Sequence, residues 1–300
     1  VEPEERPVLP QPELVKNDNV VWEIVSTAWL PDSNRFLANA HPASESQSAW
    51  SSQTSSIWLF SVLGGAPRKL REHAAAWSVS PDGALISFGT NEGKFGPREM
   101  WVMGPSGEQA RRLYEVDEEN AICCLHFAPN GQGVSYITTN ESGDTLAGRD
   151  LKGGPAVTLL TTSETKKIGD FSWLPDGRLI YSDKCPNVTG AFDTPCNYWI
   201  ERLDTHTGEL IEKPRRLTNW AGVWMNSPST TADGKRIAFL KSSGRGTSYV
   251  ADLEGDGTRL VNLRPFTLEE GGEDIVSSWT SDSKTVILEQ NRGDRYGLYK

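Results

Sequence analysis

Histidine, cysteine and methionine are scarce in this chain, with four, four and three residues among 300. The histidines, His41, His73, His126 and His206, are scattered and form no His-Glu-x-x-His metal motif. His126, inside an apolar run, reads as a packed core side chain, and His206 as a turn residue. A Gly-x-Ser-x-Gly elbow and a glycine-rich phosphate loop with its lysine are also missing, so no catalytic residue, metal or cofactor is expected. No apolar run reaches membrane-helix length, and Val1-Glu2-Pro3-Glu4-Glu5 does not read as a signal peptide, so membrane insertion is not expected. Basic residues are outnumbered, 30 Lys and Arg against 40 Asp and Glu. The resulting net charge of −10 disfavours nucleic acid or an anionic membrane as the main partner, since both reward clustered cations.

What is present is a repeat. Ala28-Trp29-Leu30-Pro31-Asp32-Ser33, Ser80-Pro81-Asp82-Gly83, Phe127-Ala128-Pro129-Asn130-Gly131, Ser172-Trp173-Leu174-Pro175-Asp176-Gly177, Thr231-Ala232-Asp233-Gly234 and Trp279-Thr280-Ser281-Asp282-Ser283 are copies of one turn. They lie roughly 46 to 57 residues apart, the period of a propeller blade and too long for a leucine-rich or ankyrin unit. Proline presets φ, glycine accepts a positive φ, and an alternating apolar run on each side makes the unit a hairpin.

The second runs, Arg35 to Ala40, Leu85 to Thr90, Gly133 to Thr138, Leu179 to Asp183, Arg236 to Ser242 and Thr285 to Gln290, are rich in β-branched and aromatic residues. A third run follows a variable loop, as in Ser56 to Leu59, Glu99 to Val102 and Asn197 to Ile200. A fourth usually follows a glycine turn, as in Pro67 to Leu70, Arg111 to Leu113, Val157 to Leu160 and Arg215 to Thr218. Four short antiparallel strands per repeat define an all-β chain, a β-propeller of four-stranded blades with about six visible and the last incomplete. The expected blades are 21–72, 74–116, 121–162, 167–219, 225–267 and 275–300. Residues 1–20, proline-rich and acidic, read as a linker or as the outer strand of a neighbouring blade, and strand exchange of that kind would be one way to close the ring.

Cys123 and Cys124 are adjacent in an innermost strand, and alternation would point them to opposite faces as buried free thiols. Cys185 and Cys196 bracket the loop between the second and third strands of blade four, where a disulfide is expected. That bond would place the protein outside the cytosol, in a periplasm or at a cell surface.

In a propeller the second-to-third and fourth-to-first loops emerge on one face, and here those loops are the long ones. They collect Glu115, Asp117, Glu118 and Glu119 before blade three and Glu269, Glu270, Glu273 and Asp274 before blade six. The acids read either as solvated loop charges or as a funnel for a cationic ligand or basic peptide, with Glu118, Glu119, Glu270 and Asp274 its candidate residues. Trp220 and Trp224, around Gly222 in the loop entering blade five, read as a ligand platform or as wedges between blades. Trp50, in the serine-rich loop of blade one, is the tryptophan expected to be most exposed and is a further ligand-binding candidate.

The Ser-Pro-Asp-Gly turn leading to Leu85-Ile86-Ser87-Phe88, the Ile57-Trp58 and Met100-Trp101 third strands, and the closing Arg215-Arg216-Leu217-Thr218 resemble the WD-repeat-like blade of TolB-type propellers. The stretches Ser56 to Leu70, Asp150 to Pro155, Trp173 to Ser182 and Lys213 to Trp220 are similar to the C-terminal propeller region of bacterial proteins that carry a serine/threonine kinase or winged-helix domain upstream. The resemblance implies a non-catalytic sensor or interaction module, covalently part of a larger signalling protein, that binds a protein, peptide or envelope ligand. No His-Arg-Asp or Asp-Phe-Gly motif is present, so kinase chemistry falls on no residue of this chain. The alternative from another class is the gating propeller of a prolyl-oligopeptidase-type peptidase; a purely structural scaffold is a third.

Overall fold

Each Pro-Asp-Gly unit forms the turn its residues dictate. In the computed structural model, which describes residues 22–42, 51–161, 167–184, 197–204, 207–220, 224–242, 246–255, 257–265, 273–292 and 295–299, all six copies close with the same i to i+3 bond. The N–H groups of Ser33, Gly83, Gly131, Gly177, Gly234 and Ser283 donate to the carbonyls of Leu30, Ser80, Ala128, Leu174, Thr231 and Thr280. Those six donors all have positive φ, from 56° at Ser33 to 84° at Gly177. Glycine meets that demand at four copies without cost, and serine tolerates it at two.

The turn carboxylates act as small caps. Oδ1 of Asp32, Asp82, Asp176, Asp233 and Asp282 accepts the N–H two residues on, and Oδ1 of Asn130 does the same for Gln132. Where the turn opens with a hydroxyl, Ser80, Thr231 or Thr280 donates to that carboxylate. This donation is the main reason Asp82, Asp233 and Asp282 are held below the usual carboxylate range. Asp82→Ala is expected to lower stability by about 1 kcal/mol and Asp82→Asn by less, because an amide oxygen already serves in blade three. Urea midpoints at pH 7 check this. Because the folded pKa is depressed, the difference between wild type and Asp82→Ala should shrink as the pH falls below about 4.

These hairpins build five complete four-stranded blades and a sixth sheet of three strands, with neighbours in chain order. Blade one holds β1 (Trp22–Trp29), β2 (Arg35–Pro42), β3 (Ser56–Ser61) and β4 (Arg68–Glu72), and blade two β5 (Ala75–Val79), β6 (Ile86–Gly93), β7 (Gly96–Met103) and β8 (Arg111–Glu115). Blade three is β9 (Ala121–Phe127), β10 (Gly133–Asn140), β11 (Gly143–Asp150) and β12 (Val157–Thr161). Blade four comprises β13 (Lys167–Trp173), β14 (Arg178–Lys184), β15 (Tyr198–Leu203) and β16 (Leu210–Arg216). Blade five comprises β17 (Trp224–Thr230), β18 (Arg236–Ser242), β19 (Gly246–Glu254) and β20 (Arg259–Pro265), and the last sheet β21 (Glu273–Trp279), β22 (Val286–Arg292) and β23 (Arg295–Tyr299). The fourth strand of blade four thus begins at Leu210, five residues before the Arg-Arg-Leu-Thr run that suggested it. Residues 1–20, and with them the expected outer strand, lie outside the described residues.

By packing, the described residues divide into two compact units, one within 22–141 and 149–156, the other within 142–148 and 157–299. In the first, Leu30, Leu37 and Ile57 of blade one meet Ala76, Ile86, Phe88 and Met103 of blade two in one core. Asn39, itself buried, ties the two blades by donating to the Ala76 carbonyl at 2.7 Å and accepting the Ala76 N–H at 2.7 Å. In the second unit, Leu174, Ile180, Tyr198 and Ile200 of blade four pack on Met225, Ile237, Phe239, Ala251 and Leu253 of blade five. Outer strands face solvent: all seven residues of β16 are exposed, Leu210 at 49% and Ile211 at 60%.

Every innermost strand carries a bulge that the turn pattern did not reveal. The register shifts between Ile24 and Ser26, Ala76 and Ser78, Cys123 and His126, Ile168 and Phe171, Asn226 and Ser229, and Val276 and Ser278. An extra residue bends the strand and re-aims the side chains beside it. In β9 this overturns the expected placement of the adjacent cysteines. Cys124 takes a left-handed φ of 58°, both thiols are half-buried rather than buried, and the Cys124 Sγ lies 2.7 Å from the Cys123 Sγ rather than across the sheet from it. Strict alternation fails at a bulge, which is why the expectation of opposite faces fails here.

Candidate functional site

In the first unit, the loops leaving second strands and those entering first strands lie side by side. Ser51 Oγ, in the β2–β3 loop, donates to Glu92 Oε2 at the β6–β7 tip at 2.5 Å, and Ser52 Oγ donates to the same oxygen at 3.3 Å. His73 Nδ1, between β4 and β5, donates to the Gln53 carbonyl at 2.6 Å, and the Ala74 N–H to that of Ser55. Lys94, beside Glu92, pairs with Glu141 at the β10–β11 tip at 2.7 Å. Asn140 Nδ2 donates to Asn120 Oδ1, and Asn120 Nδ2 to Asp117 Oδ1 at 2.6 Å, linking that tip to the β8–β9 connection. Short polar side chains and the exposed Lys94–Glu141 pair therefore link the rim from blade one into blade three.

Asp117, Glu118 and Glu119 stand exposed on this rim. Glu118 is 86% exposed, and its Oε1 lies 3.8 Å from Arg98, a distance at which a solvated pair contributes little. The Glu119 N–H donates to Asp117 Oδ1 while its carboxylate joins Glu141 in favouring the charged form of Lys94. Glu115 is paired with Arg112 at 2.6 Å. Glu118 thus keeps an open carboxylate, on a backbone fixed by the Asp117 cap.

In the second unit, Trp220 follows β16 in a connection held by one side chain. Asn197 Oδ1 accepts both the Trp220 N–H at 3.1 Å and the Thr218 hydroxyl at 2.9 Å. The Thr218 oxygen in turn accepts the Tyr198 N–H at 3.0 Å. The Trp220 ring stacks on Phe239 with centroids 6.0 Å apart, and Lys241 Nζ sits 4.8 Å from its centroid and 5.2 Å from that of Tyr249. Half-buried Trp220 therefore packs against the shared core of blades four and five while keeping a lysine over its ring. Trp224 opens β17 opposite Ser242 and Asp274 lies in β21 opposite Gln290, with neither side chain described. Trp50, Glu270, Cys185 and Cys196 lie outside the described residues.

The basic fourth strands also have a use that the sequence did not disclose. Lys69 lies 4.8 Å from the Trp22 ring and 5.1 Å from Trp58, and Arg71 lies 4.7 Å from Phe88. On β16, Arg216 lies 6.0 Å from the Trp199 ring. Cations on these strands shield aromatic rings from water through their stems and heads together.

Three titratable groups, half-buried His126 and Asp170 and fully buried Glu201, depart from solution behaviour. Burial pushes His126 down to about 4, so it is neutral at pH 7. Burial raises Asp170 to about 6, against the pull of the Phe171 and Ser227 N–H groups it accepts. Burial raises Glu201 to about 7; Tyr181 is its hydrogen-bond partner, and its Oε1 has none among the described residues. Among the described residues, no three His, Cys, Asp or Glu side chains gather to hold a metal.

No protein-family model matches the chain, and none of the curated proteins matches it. Solved structures do. A putative TolB from Agrobacterium tumefaciens aligns over 94% of this chain and 91% of its own, at 17% identity and a TM-score of 0.63. TolB from Acinetobacter baumannii aligns over 81% of this chain and 54% of its own, at 18% and 0.54. The β-propeller domain of the Trilobed protease from Pyrococcus furiosus aligns over 92% and 80%, at 12% and 0.58. With blades, turns and rim in place, these likenesses establish that the chain has the fold of the TolB-type and peptidase β-propellers.

Proposed function

We propose that this propeller is a non-catalytic interaction module, the sensory part of a larger bacterial signalling protein, which binds a protein, peptide or envelope ligand through its long-loop face. The observation that carries the reading is the rim of the first unit, cross-linked from Ser51 to Asn140 yet presenting Asp117, Glu118 and Glu119 to solvent. A rigid support beneath exposed carboxylates suits recognition of a cationic segment, since little backbone order is lost on binding. The kinase or winged-helix partner domain rests on the sequence resemblance, and an extracytoplasmic location on the expected Cys185–Cys196 bond and the TolB-like fold.

Binding of lysine- and arginine-rich peptides, followed by fluorescence anisotropy at low and high salt, tests the site. Wild type is expected to weaken with salt and the combined Glu118→Lys, Glu119→Lys, Glu270→Lys, Asp274→Lys variant to lose at least tenfold in affinity. Equal affinity in the folded variant would sink the acidic-face reading. The second reading, a gate for a peptidase domain, is favoured by the likeness to the Trilobed protease propeller. The parent polypeptide discriminates between them: a kinase or winged helix upstream supports the first, a hydrolase with a serine elbow downstream the second.

A further inference from the structure

The bulge of β9 brings together two sulfur atoms that an ordinary strand would separate. Cys124 and Leu125 together face the single residue Tyr136 on β10, because Cys123 pairs with Ile137 and His126 with Ser135. The left-handed Cys124 swings its thiol onto the side of Cys123, where the Sγ atoms lie 2.7 Å apart. β9 is the edge strand of its sheet, and both cysteines are half-buried, whereas Ile122 and Leu125 beside them are fully buried. Nor does the bulge need sulfur: in the other five innermost strands the register shift falls around Val25, Trp77, Gly169, Ser227 and Ser277.

We propose that Cys123 and Cys124 form a reversible redox site, a dithiol that a peroxide closes to a disulfide between adjacent residues. One thiolate attacks the peroxide O–O bond and becomes a sulfenic acid, with the other peroxide oxygen leaving as water or alcohol. The neighbouring sulfur then attacks the sulfenic sulfur, the S–S bond forms, and the sulfenic oxygen leaves as water with the proton of the second thiol. Two thiols are oxidised and one peroxide is reduced. A small dithiol reverses the step by exchange and is itself oxidised to its cyclic disulfide. Pre-approach of the two sulfurs is what makes the second step faster than further oxidation of the sulfenic acid.

The tryptic fragment 113–149 contains Cys123 and Cys124 and neither Cys185 nor Cys196, so the site is read by itself. The full chain is treated with hydrogen peroxide, alkylated with iodoacetamide, digested and weighed. The expected product is that fragment short of two hydrogens and without label, recovering two labels when dithiothreitol precedes alkylation. Cys123→Ser and Cys124→Ser should fold, because other blades form the bulge without sulfur, and should instead accumulate sulfinic and sulfonic acid on the remaining cysteine. Two labels on the fragment after peroxide, or sulfinic acid in wild type to the same extent as in the serine variants, would overturn the proposal.

Discussion

Phe239→Ala is expected to destabilise the protein by about 3 to 5 kcal/mol, the largest loss among single substitutions at the sites described. Phe239 is fully buried in β18 and is the hub of an aromatic group: Tyr198 meets it edge-on at 5.5 Å, Trp220 stacks at 6.0 Å and Tyr249 at 6.1 Å. Truncation removes the apolar area of the ring and leaves a void lined by blades four and five, which close-packed strands fill only in part. Three aromatic pairs go with it, each contributing about 1 kcal/mol beyond burial. Leu210→Ala, on the exposed β16, is the control and should change stability by under about 0.5 kcal/mol. Urea denaturation of both variants decides; a loss below about 1 kcal/mol at Phe239 would mean that the two blades do not share one core. The result also governs how binding experiments at Trp220 are read. A ring stacked on this hub cannot be cut away without loosening the unit, so Trp220→Ala needs a measured stability before any loss of ligand is assigned to the ring.

The blades were legible because the turn chemistry is local. A side-chain oxygen that caps the N–H two residues on, and a positive φ one residue after it, leave a fixed signature at every copy, including Asn130 and the serines at 33 and 283. The start of β16 was not legible, because a strand exposed on both faces has no apolar alternation to mark it, whereas Arg215-Arg216 near its end is conspicuous. The bulges were invisible for another reason. One inserted residue shifts a register without changing composition, and only pairing with the second strand shows it. Of the site, the loops that carry exposed acids could be named from the sequence, but not which acids are already neutralised: Glu115 by Arg112, Glu141 by Lys94. Trp220 could be named, but whether its ring binds a ligand or a neighbouring blade depends on Phe239 and Lys241, 19 and 21 residues on in sequence and adjacent only across the blade. Glu201 gave no sign at all, since a glutamate in Trp199-Ile200-Glu201-Arg202 reads as a surface residue of an alternating strand.

That glutamate makes the protein's stability depend on pH in an unusual direction. Glu201 is 3% exposed, and burial lifts it from an ordinary 4.5 to about 7, with Tyr181 pulling the other way. Between about 4.5 and 7 the folded chain therefore holds a proton that the unfolded chain has released. Stability from this group is present below 4.5 and falls as the pH rises through that window, until above about 7 the buried carboxylate costs at most about 3 kcal/mol. Asp170 acts in the same sense up to about 6, whereas His126, neutral in the fold, adds stability as the pH rises from about 4 to 6.5. Glu201→Gln isolates the first contribution, because the other two are common to both proteins and any fixed packing change is the same at every pH. The stability difference between the variant and wild type, from urea denaturation at pH 4.5, 6 and 8, should move in favour of the variant by about 2 to 3 kcal/mol across the series. A difference that stays constant would mean that Glu201 titrates in the fold as it does in the unfolded chain, near 4.5, and that water or a counter-charge reaches its Oε1. A difference that moves the opposite way would mean that the folded carboxylate is stabilised, as it is in the turn aspartates, and that its pKa lies below 4.5.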